Sequence, residues 1–294
     1  MAKIILIETT AADCTVALGV DGIAVASARA DEPRAHASMT APLVKAVLDE
    51  ACLKLSDCDA VCLSKGPGSY TGLRVGSSTA KGLCFGASLP LIALDTSTLI
   101  ASQALSAGFS MASDGSPSTA RRGAFRRVVT MIDARRMEVY ASTFAVDQPS
   151  LDSPSLPTPV FPEGASPAPR TFTPTSLETA SPDSQGAAAG RRAAAFPRLR
   201  QLTPVAPVVV EEGTFSELSG AGLVLFAGDG ALKCREVLSE AFPDAVFAEV
   251  FPHADAMAPL AEAAFAASRF EDIAYFEPFY LKQFVATTPR NKLF

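Results

Sequence analysis

The chain has 294 residues, with 25 Lys and Arg against 31 Asp and Glu and a formal net charge of −6. At roughly 150 residues per domain this length fits two domains, each able to bury its own core. With 48% hydrophobic and 19% charged residues the composition is globular, and the acidic balance argues against a dedicated nucleic-acid binder, which carries a basic face.

Residues 3–9, 15–20 and 23–30 are short β-rich runs that predict three consecutive strands, with Val20-Asp21-Gly22 as a hairpin break. Met39, Leu43, Val44, Val47, Leu48, Ala51 and Leu55 then recur at helical spacing and predict a helix over 38–55. A buried strand at 59–64, a turn-rich loop at 65–72 and a helix at 73–85 follow, then a strand at 89–94 and a helix to Leu105. The order β-β-β-α-β-α-β-α makes the chain α/β, with mixed sheets flanked by helices.

Residues 106–126 lose periodicity and read as a flexible insertion. Residues 127–133 and 138–144 predict two strands joined by Ala134-Arg135-Arg136-Met137. Between 148 and 208 lie more than half of the 22 prolines with abundant Ser, Thr and Ala, which predicts a disordered insertion. A strand at 222–226, the turn Gly228-Asp229-Gly230-Ala231, a helix at 232–241, a strand at 245–251 and an Ala-rich helix at 254–268 follow. The apolar tail Pro278-Phe279-Tyr280-Leu281-Lys282 is expected to dock. The expected organisation is an N-terminal subdomain over 1–105 and a C-terminal one from 127–147 and 209–294, separated by the two insertions.

Several enzyme classes are excluded by residue types. The two histidines, His36 and His253, are far apart, so no pair one helical turn apart can hold zinc. No G-x-S-x-G elbow holds a serine nucleophile. The six cysteines, Cys14, Cys52, Cys58, Cys62, Cys84 and Cys234, form no C-x-x-C pair and read as free thiols of a reducing cytosol. The first apolar run stops at Glu8, too short for a secretory signal, and no stretch approaches the ~20 apolar residues of a membrane span. A cytoplasmic protein without membrane contact is the expectation.

The most informative segment runs from Lys65 to Arg74, Lys-Gly-Pro-Gly-Ser-Tyr-Thr-Gly-Leu-Arg, between a strand and a helix. That junction exposes amides and a positive helix end, yet the segment lacks the ending of a P-loop, so a rigid turn competes with an anion site. Gly72, Gly76 and Ala80 share one helix face, with Gly82 and Gly86 one strip over. Each helical glycine costs about 1 kcal/mol, so another backbone is expected close to that strip, either the chain's own or another subunit's. Glu8-Thr9-Thr10 at the end of the first strand, and Gly228-Asp229 in the second half, are weak candidates for nucleotide contacts. His36 and His253 read as capping or solvated residues, and Arg135-Arg136 as a solvated turn.

Together, Ile-Leu-Ile-Glu-Thr-Thr, Gly-Pro-Gly-Ser-Tyr-Thr-Gly-Leu-Arg-Val-Gly, Ala-Lys-Gly-Leu, Ile-Asp-Ala-Arg-Arg-Met-Glu-Val-Tyr and Gly-Asp-Gly-Ala resemble the bacterial TsaB family, formerly YeaZ, required to make threonylcarbamoyladenosine in tRNA. The resemblance covers residues 1–105 well and 127–145 and 222–282 more loosely. It implies an actin-like ATPase fold of two ribonuclease-H-like halves. It also implies a non-catalytic subunit that binds and activates the catalytic TsaD, which transfers threonylcarbamoyl to the tRNA adenosine next to the anticodon. TsaE joins that complex, and tRNA is engaged indirectly. The implied interface lies on the helices at 38–55 and 72–86, through Met39, Leu43, Val47, Ser69, Tyr70, Thr71, Gly72, Leu73, Arg74, Gly76 and Ala80. A homodimer through the same helices is the alternative for the free chain. The family usually has Asp where this chain has Glu8, so no nucleotide is expected on the chain alone, with ATP or ADP placed at the joint surface with the partner. Competing readings are a metal-independent small-molecule kinase of the same fold and a glycoprotease-like peptidase.

Overall fold

The computed structural model describes residues 1–30, 35–107, 125–147, 170–172 and 198–281. Its first sheet holds β1 (Lys3–Glu8), β2 (Thr15–Val20), β3 (Ile23–Ala30), β4 (Ala60–Gly66), β5 (Leu91–Asp95) and β8 (Arg170–Phe172) in the order β5-β4-β1-β2-β3-β8. β1, β2 and β3 form an antiparallel meander, and β4 and β5 extend it in parallel beyond β1. As a central strand, β1 is covered on both sides, which is why its sequence is an unbroken apolar run. Side chains alternate across a strand. Ile5 and Ile7 therefore pack with Met39, Leu43 and Val47 of α1 (His36–Glu50) and Ala80 and Cys84 of α2 (Tyr70–Ala87). Ile4 and Leu6 face the other way, onto Met257, Ala258 and Ala261. Fully burying each such aliphatic side chain contributes about 1.5–3 kcal/mol.

The second sheet holds β6 (Phe125–Asp133), β7 (Glu138–Asp147), β10 (Ala206–Val209), β11 (Leu223–Ala227) and β12 (Val246–Ala248) in the order β10-β7-β6-β11-β12, with β9 (Arg198–Gln201) also on β7. It repeats the plan of the first, because β6 pairs antiparallel with β7 and parallel with β11, and β11 runs parallel to β12. The helix α3 (Thr96–Ala107) joins the halves. Leu99 belongs to the first sheet's core, whereas Ile100, Ala101 and Ala104 pack with Val128 and Leu225 of the second.

Several boundaries differ from expectation. Helix α2 starts at Tyr70 because Ser69 caps it, its hydroxyl accepting the Gly72 N–H. α1 ends at Glu50, and Cys52 beyond it adopts a left-handed φ of 55°. The helix expected over 232–241 is a 3-10 turn (Leu232–Cys234) followed by α4 (Arg235–Ser239). The Ala-rich helix likewise opens as a 3-10 turn (Ala254–Met257) before α5 (Ala258–Ala266), which carries proline in its first turn.

The stretch expected to be disordered over 148–208 includes β9 and β10, which pair with successive parts of one edge of β7. Backbone pairing on an open strand edge needs little apolar pattern, so composition does not betray it. Ser106 and Ala107 belong to α3, and Phe125 and Arg126 to β6. Residues 202–205 link β9 to β10; apart from these and the strand at 170–172, the rest of both expected insertions lies outside the described residues. The tail docks as expected: Phe276 is buried, and the Phe279 N–H donates to the Lys65 carbonyl at 2.7 Å. Lys282 lies outside the described residues.

Candidate functional site

The turn after β1 and the loop before α2 form one interlocked unit. Glu8 is completely buried. Its Oε1 accepts the Thr10 N–H at 2.6 Å and the Thr10 hydroxyl at 2.5 Å, and its Oε2 accepts the hydroxyl of Ser64 on β4. Burial raises its pKa above the ordinary value, and the hydrogen bonds from Ser64 and Thr10 offset only part of that shift. The Thr9 hydroxyl donates to the Gly72 carbonyl at 2.8 Å, and the Ser69 N–H donates to the Thr10 carbonyl at 2.8 Å.

The glycines of the motif exist to admit this turn. A Cβ on Gly72 would stand 1.8 Å from the Thr9 carbonyl oxygen, one on Gly76 2.3 Å from the Thr9 hydroxyl, and one on Gly68 2.6 Å from Thr10. Gly66, at φ +111°, has no room for a side chain either, because the Phe279 carbonyl oxygen would lie 2.7 Å from it. The close neighbour of the small-residue strip is thus the chain's own β1–β2 turn. This corrects the assignment of Gly72, Gly76 and Ala80 to a partner interface. Met39, Leu43, Val47 and Leu73 are corrected with them, because all four side chains are buried within the chain.

Ser69, Tyr70, Thr71 and Arg74 do lie on the surface. The Tyr70 ring sits 5.1 Å from that of Tyr280, and the Arg74 guanidinium 5.7 Å from the Tyr70 centroid. Further along α2, Gly82 and Gly86 have open space where a Cβ would stand, and Phe85 beside them is 85% exposed. Phe85 had no part in the sequence-based site. Its signal was available: it falls off the buried stripe of Leu73, Ala80 and Cys84, on the side of Ser78 and Gly82.

The second half repeats the arrangement with different chemistry. The Gly228 and Gly230 backbones press against the Met131 carbonyl, where added Cβ atoms would stand 2.3 Å and 2.9 Å away. The Asp133 N–H donates to Asp229 Oδ1 at 2.8 Å, and Asp133 Oδ1 accepts the Arg135 N–H at 2.8 Å. Lys233 Nζ donates to the Asp133 carboxylate and, at 2.8 Å each, to the carbonyls of Arg136 and Glu138. Burial pushes the Asp229 pKa up. Burial acts on Asp133 in the same sense but is outweighed by the Lys233 and Arg135 interactions, which leave its pKa lowered. Gly228 and Asp229 thus brace the β6–β7 turn, while Glu8, Thr9 and Thr10 serve the other sheet.

Among the described residues no group of three or more His, Cys, Asp or Glu is placed to hold a metal ion. His36 Nε2 donates to the Ala11 carbonyl at 3.1 Å, and the His253 backbone N–H donates to Gln103 Oε1 at 3.3 Å. No helix among the described residues is long and apolar enough to cross a membrane.

A family model described as TsaD, tRNA N6-adenosine threonylcarbamoyltransferase, matches residues 30–155. The tRNA threonylcarbamoyladenosine biosynthesis protein TsaB of Escherichia coli K12 is 34% identical over 146 residues, which cover 50% of this chain and 56% of that protein. The chain is similar to the TsaB proteins. TsaB of Haemophilus influenzae is 36% identical over 109 residues, covering 37% of this chain and 40% of that one. The chain therefore spans about half the length of the curated TsaB relatives it matches. A tRNA N6-adenosine threonylcarbamoyltransferase of Sphingopyxis alaskensis is 45% identical over 62 residues, 21% of this chain and 18% of that enzyme. Two solved structures from Pseudomonas aeruginosa, YeaZ and a protein described as similar to peptidase YeaZ, superpose with TM-scores of 0.62 and 0.65 at 24% identity, covering 96% of this chain and 100% of theirs. That likeness establishes the fold: two mixed sheets flanked by helices in the two-subdomain, actin-like arrangement.

Proposed function

We propose that the chain is a non-catalytic accessory subunit in the formation of N6-threonylcarbamoyladenosine in tRNA, binding and activating a TsaD-type transferase. The observation that carries this reading is the sealed β1–β2 turn. Glu8 and the Ser69 and Gly72 amides bond within the chain, so these groups are committed to its own packing and not held open for an anion or a substrate. What the same motif leaves outside is the outward face of α2, where Thr71, Arg74, Ser78, Gly82, Phe85 and Gly86 meet solvent. An almost fully exposed Phe flanked by glycines suits a partner helix approaching closely, with the ring as its anchor. On this reading TsaE joins the assembly, tRNA is delivered to the transferase, and ATP or ADP sits where the two proteins meet. A homodimer of the free chain would use the same face, and the work takes place in the cytoplasm.

Replacing Phe85 by Asp leaves the core untouched and is expected to weaken co-elution with the transferase at least about 30-fold, as loss of an interface anchor does. Wild-type affinity in that variant would remove α2 from the interface. Calorimetry of the free chain against ATP separates this reading from a kinase of the same fold, which would bind the nucleotide tightly.

A further inference from the structure

The turn between β6 and β7 carries Arg135 and Arg136, both exposed and both at positive φ, 73° and 54°. Side chains with a Cβ are disfavoured there, and turns of this shape select Asn or Gly. The turn is held rigid. The Glu138 N–H donates to the Arg135 carbonyl at 3.2 Å, the Arg135 N–H is fixed by Asp133, and Lys233 binds the Arg136 and Glu138 carbonyls. Lys233 directs its charge to Asp133. Arg135 and Arg136 make no ion pair among the described residues; Arg135 acts on Asp133 only at longer range.

The matching turn of the first sheet makes the contrast. Thr9 and Thr10 fold inward there and bond to Gly72 and Glu8. Two turns with one plan thus have opposite fates, one sealed and one raising two guanidinium groups that form no ion pair among the described residues. The hydrogen bonds around the tip hold both residues in this conformation.

We propose that the Arg135–Arg136 tip contacts the phosphate backbone of the RNA substrate, so that the chain itself touches tRNA. This rests on the accessory-subunit reading above. Guanidinium forks match phosphate oxygens in pairs of hydrogen bonds. On that reading the protein partner takes the outward face of α2, in the half built on the first sheet. With a net charge of −6 over the chain, an RNA contact calls for a local cluster of cations such as this tip.

The test titrates labelled unmodified tRNA with the full chain at several salt concentrations, comparing wild type with Arg135→Asn/Arg136→Gly. The variant removes both charges and supplies residues suited to positive φ. Its affinity for tRNA is expected to fall at least about fivefold. Its dependence of log K on log salt should flatten by about 1.4, at ~0.7 for each of the two phosphates no longer neutralised. Its Tm should equal or exceed that of wild type. Arg135→Lys/Arg136→Lys should keep the salt dependence.

Unchanged affinity and salt dependence in the Asn/Gly variant would overturn the proposal, as would a wild-type chain with no salt-dependent tRNA binding. An equal loss of binding to poly-glutamate would also overturn it, assigning the tip to an acidic protein surface. Co-elution with the transferase is read in parallel. If wild type fails to co-elute, the accessory reading falls; if the variant co-elutes but binds tRNA as wild type does, only the tip proposal falls.

Discussion

Gly72→Ala is expected to destabilise the chain by about 2–4 kcal/mol, a large effect for one methyl group. The added Cβ would stand 1.8 Å from the Thr9 carbonyl oxygen, a backbone atom that no side-chain rotation can move away. The β1–β2 turn must shift, which breaks the Thr9 hydroxyl bond to Gly72 and the Ser69 bond to Thr10. Overpacking costs about 1–3 kcal/mol and each broken hydrogen bond about 1 kcal/mol. Better helix propensity returns only about 1 kcal/mol. Gly82→Ala in the same helix is the internal control. Its Cβ meets nothing within 4 Å, so the chain should gain about 0.5–1 kcal/mol. Urea unfolding of both variants measures the difference, and similar midpoints would contradict the packing described above.

Glu8→Ala should cost at least about 3 kcal/mol. It leaves the Thr10 N–H, the Thr10 hydroxyl and the Ser64 hydroxyl without their acceptor in a site closed to water, at roughly 1–3 kcal/mol for each buried group left unpaired. Glu8→Gln keeps one acceptor oxygen and should cost less. The two also differ from wild type in pH dependence. The native pKa of Glu8 is raised by burial, so the folded state holds its proton more tightly than the unfolded state. The stability this contributes is complete below the unfolded pKa and is lost as pH rises through the higher native value. Urea midpoints followed from about pH 4 to about pH 8 should therefore fall with rising pH in wild type relative to Glu8→Gln. Parallel profiles would mean that Glu8 titrates as an ordinary carboxyl.

Much of the fold was readable because burial leaves a period in the residues. The apolar run of β1, the helical spacing of Met39, Leu43 and Val47, and the hairpin at Val20-Asp21-Gly22 all correspond to elements at nearly the expected positions. β9 and β10 escaped notice because edge strands are selected by backbone pairing, and two prolines lie in or beside β10. The candidate site was harder to read for a different reason. The face formed by Gly72 and Gly76 announces a close neighbour, but the neighbour is Thr9, more than sixty residues away, and spacing within one helix cannot name it. Glu8 and Ser64 are likewise 56 positions apart. The Arg135-Arg136 turn looked solvated because composition carries no φ angle. The positive φ at both positions distinguishes it from an ordinary charged loop.

The two halves put matching carboxylates to structural use. Each sheet ends its first strand in a carboxylate beside a glycine loop, Glu8 in one and Asp133 in the other. In the first, the carboxylate is spent on its own turn; in the second, it anchors Lys233.

The most direct measurement of the accessory role is reconstitution: a TsaD-type transferase, its threonylcarbamoyl donor and unmodified tRNA, with and without this chain. Modified adenosine is expected to accumulate only when the chain is present, and Phe85→Asp to reduce the yield in step with its weaker co-elution. Equal modification in the absence of the chain would contradict the accessory role.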